Sequence, residues 1–207
     1  MKKLTNLLFV LVTILLFSAC DKDPVTYRFE KEDEAKLLPH YTVGKILTFK
    51  NEVGEERKFE VSEITRKIRQ DWENVGMGGV SDHYYFFYET KEIYIMDSSS
   101  HFKFAIVFWQ YPINKNKAQL NVHKTYKSLF MGHIVRGNSE TLFPLDFEQN
   151  QYVMNVNGVN YKNVIKSKRT DLSSIYFLEI TEISYDIYQG LIEFNDKNNH
   201  QWKLINE

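Results

Sequence analysis

Apolar and polar residues alternate in short runs along most of this chain, and polar turns separate the runs. Alternation with a period of two places apolar side chains on one face of a β-strand. The runs 45–50 and 57–69 flank the turn sequence Asn51-Glu52-Val53-Gly54, which predicts a first hairpin. The dipeptide Asn157-Gly158 is the strongest short hairpin signal in the chain and joins two further strands, 152–156 and 159–168.

The same pattern continues on both sides of this hairpin. A long hairpin is predicted between 83–96 and 101–111, around the polar turn 97–100. Segment 119–123 predicts another strand, whereas 124–133 is compatible with a helix or a strand. The last predicted strands are 174–184, 190–195 and 200–205, with 196–199 as the final turn.

Strand therefore follows strand, and no long helical pattern alternates with them. This order is typical of antiparallel sheets and not of parallel α/β proteins. The composition agrees, because 15 Phe, 13 Tyr and 3 Trp accompany only 9 Gly and 4 Pro. We predict an all-β fold, a single antiparallel β-sandwich or half-open barrel of about ten strands.

The first twenty residues follow a different pattern. Lys2 and Lys3 precede an apolar run at 7–17, which is followed by the small residues Ser18 and Ala19. A membrane-spanning helix needs about 20 apolar residues, and this run is roughly half as long. The pattern is that of a secretory signal peptide, and we assign it to residues 1–19.

The stretch Leu16-Phe17-Ser18-Ala19-Cys20 resembles the lipobox of bacterial lipoproteins. In that family the cysteine thiol receives diacylglycerol, and a peptidase cuts the chain just before it. The resemblance implies a lipid on Cys20 that attaches the protein to a membrane; an ordinary signal peptide or a buried apolar helix are the alternatives. Asp21-Lys22-Asp23-Pro24 resembles export tags of outer-membrane lipoproteins. It implies a lipid-anchored protein of the cell envelope, at the outer membrane and exposed on its surface.

The remaining chain divides into two parts. Residues 20–38 are charged and predict a lipidated tether with a short helical turn, and 39–207 predict the β domain. Removal of the signal peptide leaves 24 basic against 27 acidic residues, a net charge of about −3 that argues against a nucleic-acid partner. Cys20 is the only cysteine, so the fold has no disulfide.

The C-terminal part carries a second resemblance. The sequence Val156-Asn157-Gly158-Val159-Asn160-Tyr161-Lys162-Asn163-Val164 is followed by Tyr185, by Gly190-Leu191-Ile192-Glu193-Phe194 and by Trp202. This pattern is similar to the C-terminal part of small surface lipoproteins of unknown function. It implies a location and no particular chemistry.

Catalytic and metal-binding motifs are missing from the sequence. The six histidines stand singly, without a His-Glu-x-x-His run or a pair of cysteines. Neither a nucleophile elbow nor a phosphate-binding loop followed by a helix occurs. We predict no catalytic residue, no metal and no cofactor.

The aromatic hairpin is the strongest candidate for a binding surface. If paired residues have numbers that sum to 197, Tyr88 faces Trp109 and Phe86 faces Tyr111. The face with Tyr85, Phe87, Phe104, Ile106 and Phe108 is then the predicted core. The opposite face is a predicted ligand platform, because Tyr and Trp combine an apolar ring with a polar tip. Its residues are Tyr84, Tyr88, Trp109 and Tyr111; the alternative is that both faces are buried.

These features predict a membrane-anchored envelope lipoprotein with a non-enzymatic binding or accessory role. Its partner would be a glycan, a peptide or another envelope protein, besides the membrane that holds the lipid on Cys20. One alternative is a carrier that holds a hydrophobic ligand in a β-barrel cavity, and another is a hydrolase with a site assembled from distant residues. The sequence leaves the oligomeric state open.

Overall fold

The computed structural model of the protein describes residues 24–74, 83–97, 103–113, 127–136, 140–169 and 180–205. These residues form twelve β-strands. The strands are β1 (Thr26–Tyr27), β2 (Ile46–Lys50), β3 (Glu56–Asn74), β4 (His83–Asp97), β5 (Lys103–Ile113), β6 (Lys127–Arg136), β7 (Glu140–Leu145), β8 (Tyr152–Val156), β9 (Val159–Lys168), β10 (Ile180–Asp186), β11 (Gly190–Asp196) and β12 (Gln201–Leu204). In these ranges we find no helix with the length and hydropathy of a membrane span.

All strands belong to one sheet in the order β7-β6-β5-β4-β3-β2-β12-β11-β10-β9-β8, and β1 adds to β4. Consecutive strands β7 and β8 lie at opposite edges, although only residues 146–151 join them. Such a link spans at most about 25 Å, whereas a flat sheet of eleven strands would be roughly 48 Å wide. The sheet must therefore curl. Its edges approach each other, and Gln149, after β7, donates a hydrogen bond from Nε2 to the Lys166 carbonyl of β9 at 3.2 Å.

The inner face of the curled sheet carries the main core. Phe49, Phe59 and Phe194 are at most 1% exposed, and the Phe49 ring lies 5.5 Å from Phe59 and 5.1 Å from Phe194. Trp202 of β12 stacks on Phe194 at 5.7 Å, and Phe104 of β5 meets Phe59 at 5.9 Å. Aromatic rings from five strands thus fill the interior at this level, which excludes water from the sheet that they line.

The predicted all-β fold is confirmed, and of the two predicted architectures the sheet forms the half-open barrel. The ambiguous segment 124–133 contributes to strand β6, which starts at Lys127. Strand β7 was not predicted, since its run Glu140–Leu145 is short and interrupted by Pro144. The predicted strand 119–123 lies outside the described residues.

The N-terminal segment differs from the predicted tether. Thr26 and Tyr27 pair in parallel with Phe87 and Tyr88 of β4. Phe29, Leu37 and Leu38 are buried in the main core, so residues 24–38 belong to the β domain and not to a linker. The expected helical turn is present as a hydrogen-bonded turn, in which the Leu37 amide donates to the Asp33 carbonyl at 3.2 Å.

Candidate functional site

The predicted aromatic hairpin exists, but its register differs by two residues. Thr90, and not Tyr88, lies opposite Trp109, and Met96 lies opposite Lys103. The turn is longer than predicted, since β5 begins only at Lys103. A shift of two preserves the face of every side chain. Phe104, Ile106 and Phe108 accordingly face the core as predicted.

Of the four predicted platform side chains, the structure describes those of Tyr88 and Trp109. Beyond Trp109, strand β5 leaves β4, and β1 takes its place beside Tyr88. Tyr88 is half-buried, and burial raises the pKa of its hydroxyl, with Asp71 raising it further. Trp109 is also half-buried, and its ring lies 4.6 Å from the imidazole of His133. The predicted residues Tyr84 and Tyr111 lie in β4 and β5, but their side chains are outside the described part of the protein.

The face that carries Tyr88 is largely covered. Tyr27 of β1 meets the Phe86 ring edge-on at 6.2 Å, and Phe86 is only 2% exposed. The Phe86 and Tyr88 rings lie 6.2 Å apart. These contacts cover the outer face of this part of the hairpin around Phe86 and Tyr88.

A different aromatic surface is exposed on the long strands β3 and β4. Strand β3 has 19 residues and β4 has 15, whereas β2 pairs only with the first five residues of β3, Glu56–Glu60. On the other side, β5 pairs with β4 only from Thr90 to Met96. Residues 67–74 and 83–89 therefore extend past β2 and β5 as a pair of strands, which we call the arm, and β1 pairs with the β4 side of the arm at Phe87 and Tyr88.

Trp72 and Tyr85 face each other across the arm. They are cross-strand partners, and they are 51% and 49% exposed. Ile68, four residues earlier on β3 and on the same face, is 44% exposed. Directly opposed side chains on antiparallel strands are about 5 Å apart at Cβ. Trp72 and Tyr85 thus form an exposed aromatic pair with polar tips, and Ile68 adds an exposed apolar side chain about 13 Å away on the same face. We call these three side chains the arm strip.

The arm strip corrects one prediction. The sequence places Tyr85 in the core because it shares a face of the predicted hairpin with Phe104 and Phe108. It does lie on the inner face, but the core ends before the arm begins, so half of its side chain is exposed. Trp72 was not singled out at all. The signal that would have found both is strand length, because the run 45–50 is too short to cover the run 57–69.

An ion-pair network fixes the base of the arm. Arg66 donates from Nε to Glu89 Oε1 at 2.6 Å and from Nη2 to Glu34 Oε1 at 2.7 Å. The second oxygen of Glu89 accepts the Phe29 amide at 2.9 Å. Although burial of Glu89 raises its pKa, the hydrogen bonds from Arg66 and Phe29 outweigh that effect and hold the pKa below its ordinary value. The arm is consequently attached to the N-terminal segment by hydrogen-bonded ion pairs.

The structure gives no geometry for the other predicted sites. Cys20 and the signal peptide lie outside the described residues, and lipidation stays a prediction. Within the described ranges, no group of three or more His, Cys, Asp or Glu side chains is arranged to hold a metal ion. Comparisons of the chain with protein-family models, curated proteins and solved structures give no match.

Proposed function

We propose that this protein is a lipid-anchored lipoprotein of the cell envelope that binds glycans without catalysis, through the arm strip. The observation that carries the proposal is the exposure of Trp72 and Tyr85 side by side on the arm. A half-exposed aromatic ring is costly to leave in water, and it offers a flat apolar face to the C–H face of a sugar ring. The indole N–H and the phenol hydroxyl supply hydrogen bonds at the rim.

The arm lies beside the N-terminal segment that would lead to the lipid anchor. The N-terminal segment that leads from Cys20 packs at the base of the arm through Phe29 and Glu34. The barrel core does not depend on the tip of the arm, because the aromatic cluster around Phe49 and Phe194 lies elsewhere in the sheet. A binding surface there can vary without loss of the fold.

The arm strip is tested by binding to glycans. We expect the double variant Trp72→Ala and Tyr85→Ala to weaken binding of the mature chain to an envelope polysaccharide by about tenfold or more. Each ring contributes roughly 1 kcal/mol of aromatic contact, and 1.4 kcal/mol corresponds to tenfold. Binding is measured by affinity electrophoresis in gels that contain the polysaccharide. The thermal unfolding midpoint should change little, since both side chains are half exposed.

Tyr188→Ala is the matched control, because Tyr188 is a 37% exposed tyrosine in the β10–β11 turn. It should leave glycan binding unchanged. Retention of wild-type binding by the double variant would refute the arm strip as the glycan site. Selective binding of unglycosylated peptides, lost in the same variant, would replace the glycan with a peptide partner.

Lipid anchoring is tested separately. We expect Cys20→Ser to abolish labelling by a radioactive or alkyne-tagged fatty acid and to move the protein from the membrane to the soluble fraction. The reason is that two or more acyl groups make membrane attachment durable, whereas the protein without them has no anchor. Ser18→Ala keeps a small residue before the cysteine and should retain the label. Unchanged membrane partition of Cys20→Ser would contradict the anchor.

A further inference from the structure

A row of charged side chains crosses the outer face of the sheet, far from the arm strip. Lys50 of β2 and Lys203 of β12 are direct cross-strand partners. On either side of them, Glu56 pairs with Lys50 and Glu193 pairs with Lys203. Like charges placed directly opposite each other destabilise a sheet. Among the described residues, neither lysine forms an ion pair that would relieve this repulsion.

The neighbouring glutamate compensates Lys203 only in part. Glu193 is 3% exposed, and its Oε1 accepts a hydrogen bond from Ser184 Oγ at 3.3 Å. Its Oε2 has no hydrogen-bond partner among the described residues. Burial raises the pKa of Glu193, although Lys203, Ser184 and Lys166 oppose the shift. Among the described residues Lys203 and Glu193 form no direct ion pair, so the charge of Lys203 is compensated only at longer range.

The two lysines line a cleft of about 640 Å³. Volumes of this size are usual for ligand sites. Its other lining side chains are amides, carboxylates and two apolar side chains. They are Asn51, Glu52, Glu56, Asn157, Val159, Gln201 and Ile205.

The walls of the cleft are fixed in place by hydrogen bonds. Asn157, at the tip of the β8–β9 hairpin, donates from Nδ2 to the Leu204 carbonyl at 2.8 Å. On the opposite wall, Glu52 Oε2 accepts the Gln201 amide at 3.1 Å, and its Oε1 lies 2.6 Å from Nδ1 of His200. The hydrogen bond to His200 lowers the pKa of Glu52 and raises the pKa of His200. Both carboxylate oxygens of Glu52 are thereby engaged within the wall.

We propose that this cleft binds an oxyanion carried by a hydroxyl-rich ligand, such as a sugar acid or a sugar phosphate. One carboxylate or phosphate placed between Lys50 and Lys203 would be attracted to both ammonium groups and reduce their mutual repulsion. Amide and carboxylate side chains such as Gln201 and Glu56 would hydrogen-bond the hydroxyl groups around it. The site is separate from the arm strip and does not require the proposed glycan binding to hold.

Isothermal titration of the mature chain tests the proposal with four probes: trigalacturonate, glucose 6-phosphate, inorganic phosphate and neutral maltotriose. We expect trigalacturonate or glucose 6-phosphate to bind, and the stronger of the two identifies the source of the oxyanion. The double variant Lys50→Gln and Lys203→Gln should weaken that binding at least tenfold. Lys166→Gln and Lys168→Gln together remove the same charge from lysines that lie by Glu182, and they should leave binding within about twofold.

The opposing outcomes are equally clear. The proposal would be overturned if maltotriose bound as tightly as the anionic probes, or if the Lys50 and Lys203 double variant kept wild-type binding. It would also be overturned if the Lys166 and Lys168 control weakened binding as much as that double variant. Binding of inorganic phosphate alone would overturn the requirement for a hydroxyl-rich ligand. The Trp72 and Tyr85 double variant should bind the anionic probe as the wild type does, which separates failure of the arm strip from failure of this cleft.

Discussion

Substitution Gly190→Ala is expected to lower the free energy of unfolding by about 3 kcal/mol or more. Gly190 begins β11 with φ of +91°, where a side chain costs about 1–3 kcal/mol. A Cβ at this position would also overlap the hydroxyl oxygen of Tyr41 and lie 2.9 Å from its Cζ and 3.2 Å from Leu38 Cδ1. Tyr41 and Leu38 are buried, so they have little room to move, and overpacking adds about 1–3 kcal/mol. Urea denaturation followed by circular dichroism measures the loss.

Gly158→Ala is the matched control for this prediction. Gly158 has φ of +87°, but nothing lies within 4 Å of the position that its Cβ would take. It should therefore cost only the backbone strain, about 1–2 kcal/mol. Equal losses in the two variants would show that the contact with Tyr41 contributes nothing. Because Leu38 and Tyr41 belong to the N-terminal segment, Gly190→Ala should also make residues 29–41 more sensitive to limited proteolysis.

Most strands could be predicted from the sequence because they show period-two alternation, and several are joined by a defined turn. Asn157-Gly158 and Asn51-Glu52-Val53-Gly54 fix their hairpins locally: Asn157, Gly158 and Gly54 all adopt positive φ. The turn after β4 lacks such a signal, since it consists of polar residues that suit several lengths. The register across β4 and β5 was accordingly wrong by two residues, although the faces were right.

The extent of the core could not be predicted from alternation alone. Tyr85 and Phe104 share the predicted core face, yet one is half exposed and the other is 3% exposed. What separates them is the position at which β5 leaves β4, a property of the whole sheet. The prediction of a tether was wrong for a related reason. The charged residues Glu30–Glu34 suggest a solvated linker, whereas Phe29 and Leu37 on either side of them are buried.

The anion cleft depends on contacts between distant parts of the chain. Lys50 and Lys203 meet only because β2 pairs with β12, and no local signal in either segment predicts that pairing. The walls have the same origin, since Glu52 and Asn157 reach Gln201 and Leu204 across long sequence separations. Single-sequence patterns describe neighbours along the chain and within one hairpin, so a site built on the pairing of β2 with β12 is invisible to them.

The second large effect is expected at Asp97, where Asp97→Ala should cost about 3–5 kcal/mol of stability. Asp97 ends β4 with no exposed surface, and its Oδ2 accepts a hydrogen bond from Arg57 Nε at 2.7 Å. The Arg57 guanidinium carbon lies 5.4 Å from the Phe59 ring and 6.0 Å from the Phe194 ring. Arg57 is thereby held over the aromatic core as a cation–π contact. Loss of the carboxylate leaves its charge in a poorly solvated position without a counter-ion.

A double substitution distinguishes the ion pair from simple packing. Arg57→Met combined with Asp97→Leu removes both charges and keeps apolar volume over Phe59, so it should recover at least half of the stability that Asp97→Ala loses. Asp97→Asn keeps a hydrogen-bond acceptor without the charge and should fall between the wild type and Asp97→Ala. Chemical denaturation at pH 7 ranks the three variants. A double variant as unstable as Asp97→Ala would mean that the carboxylate is needed for its own contacts at the end of β4, and that compensation of Arg57 contributes little to the fold.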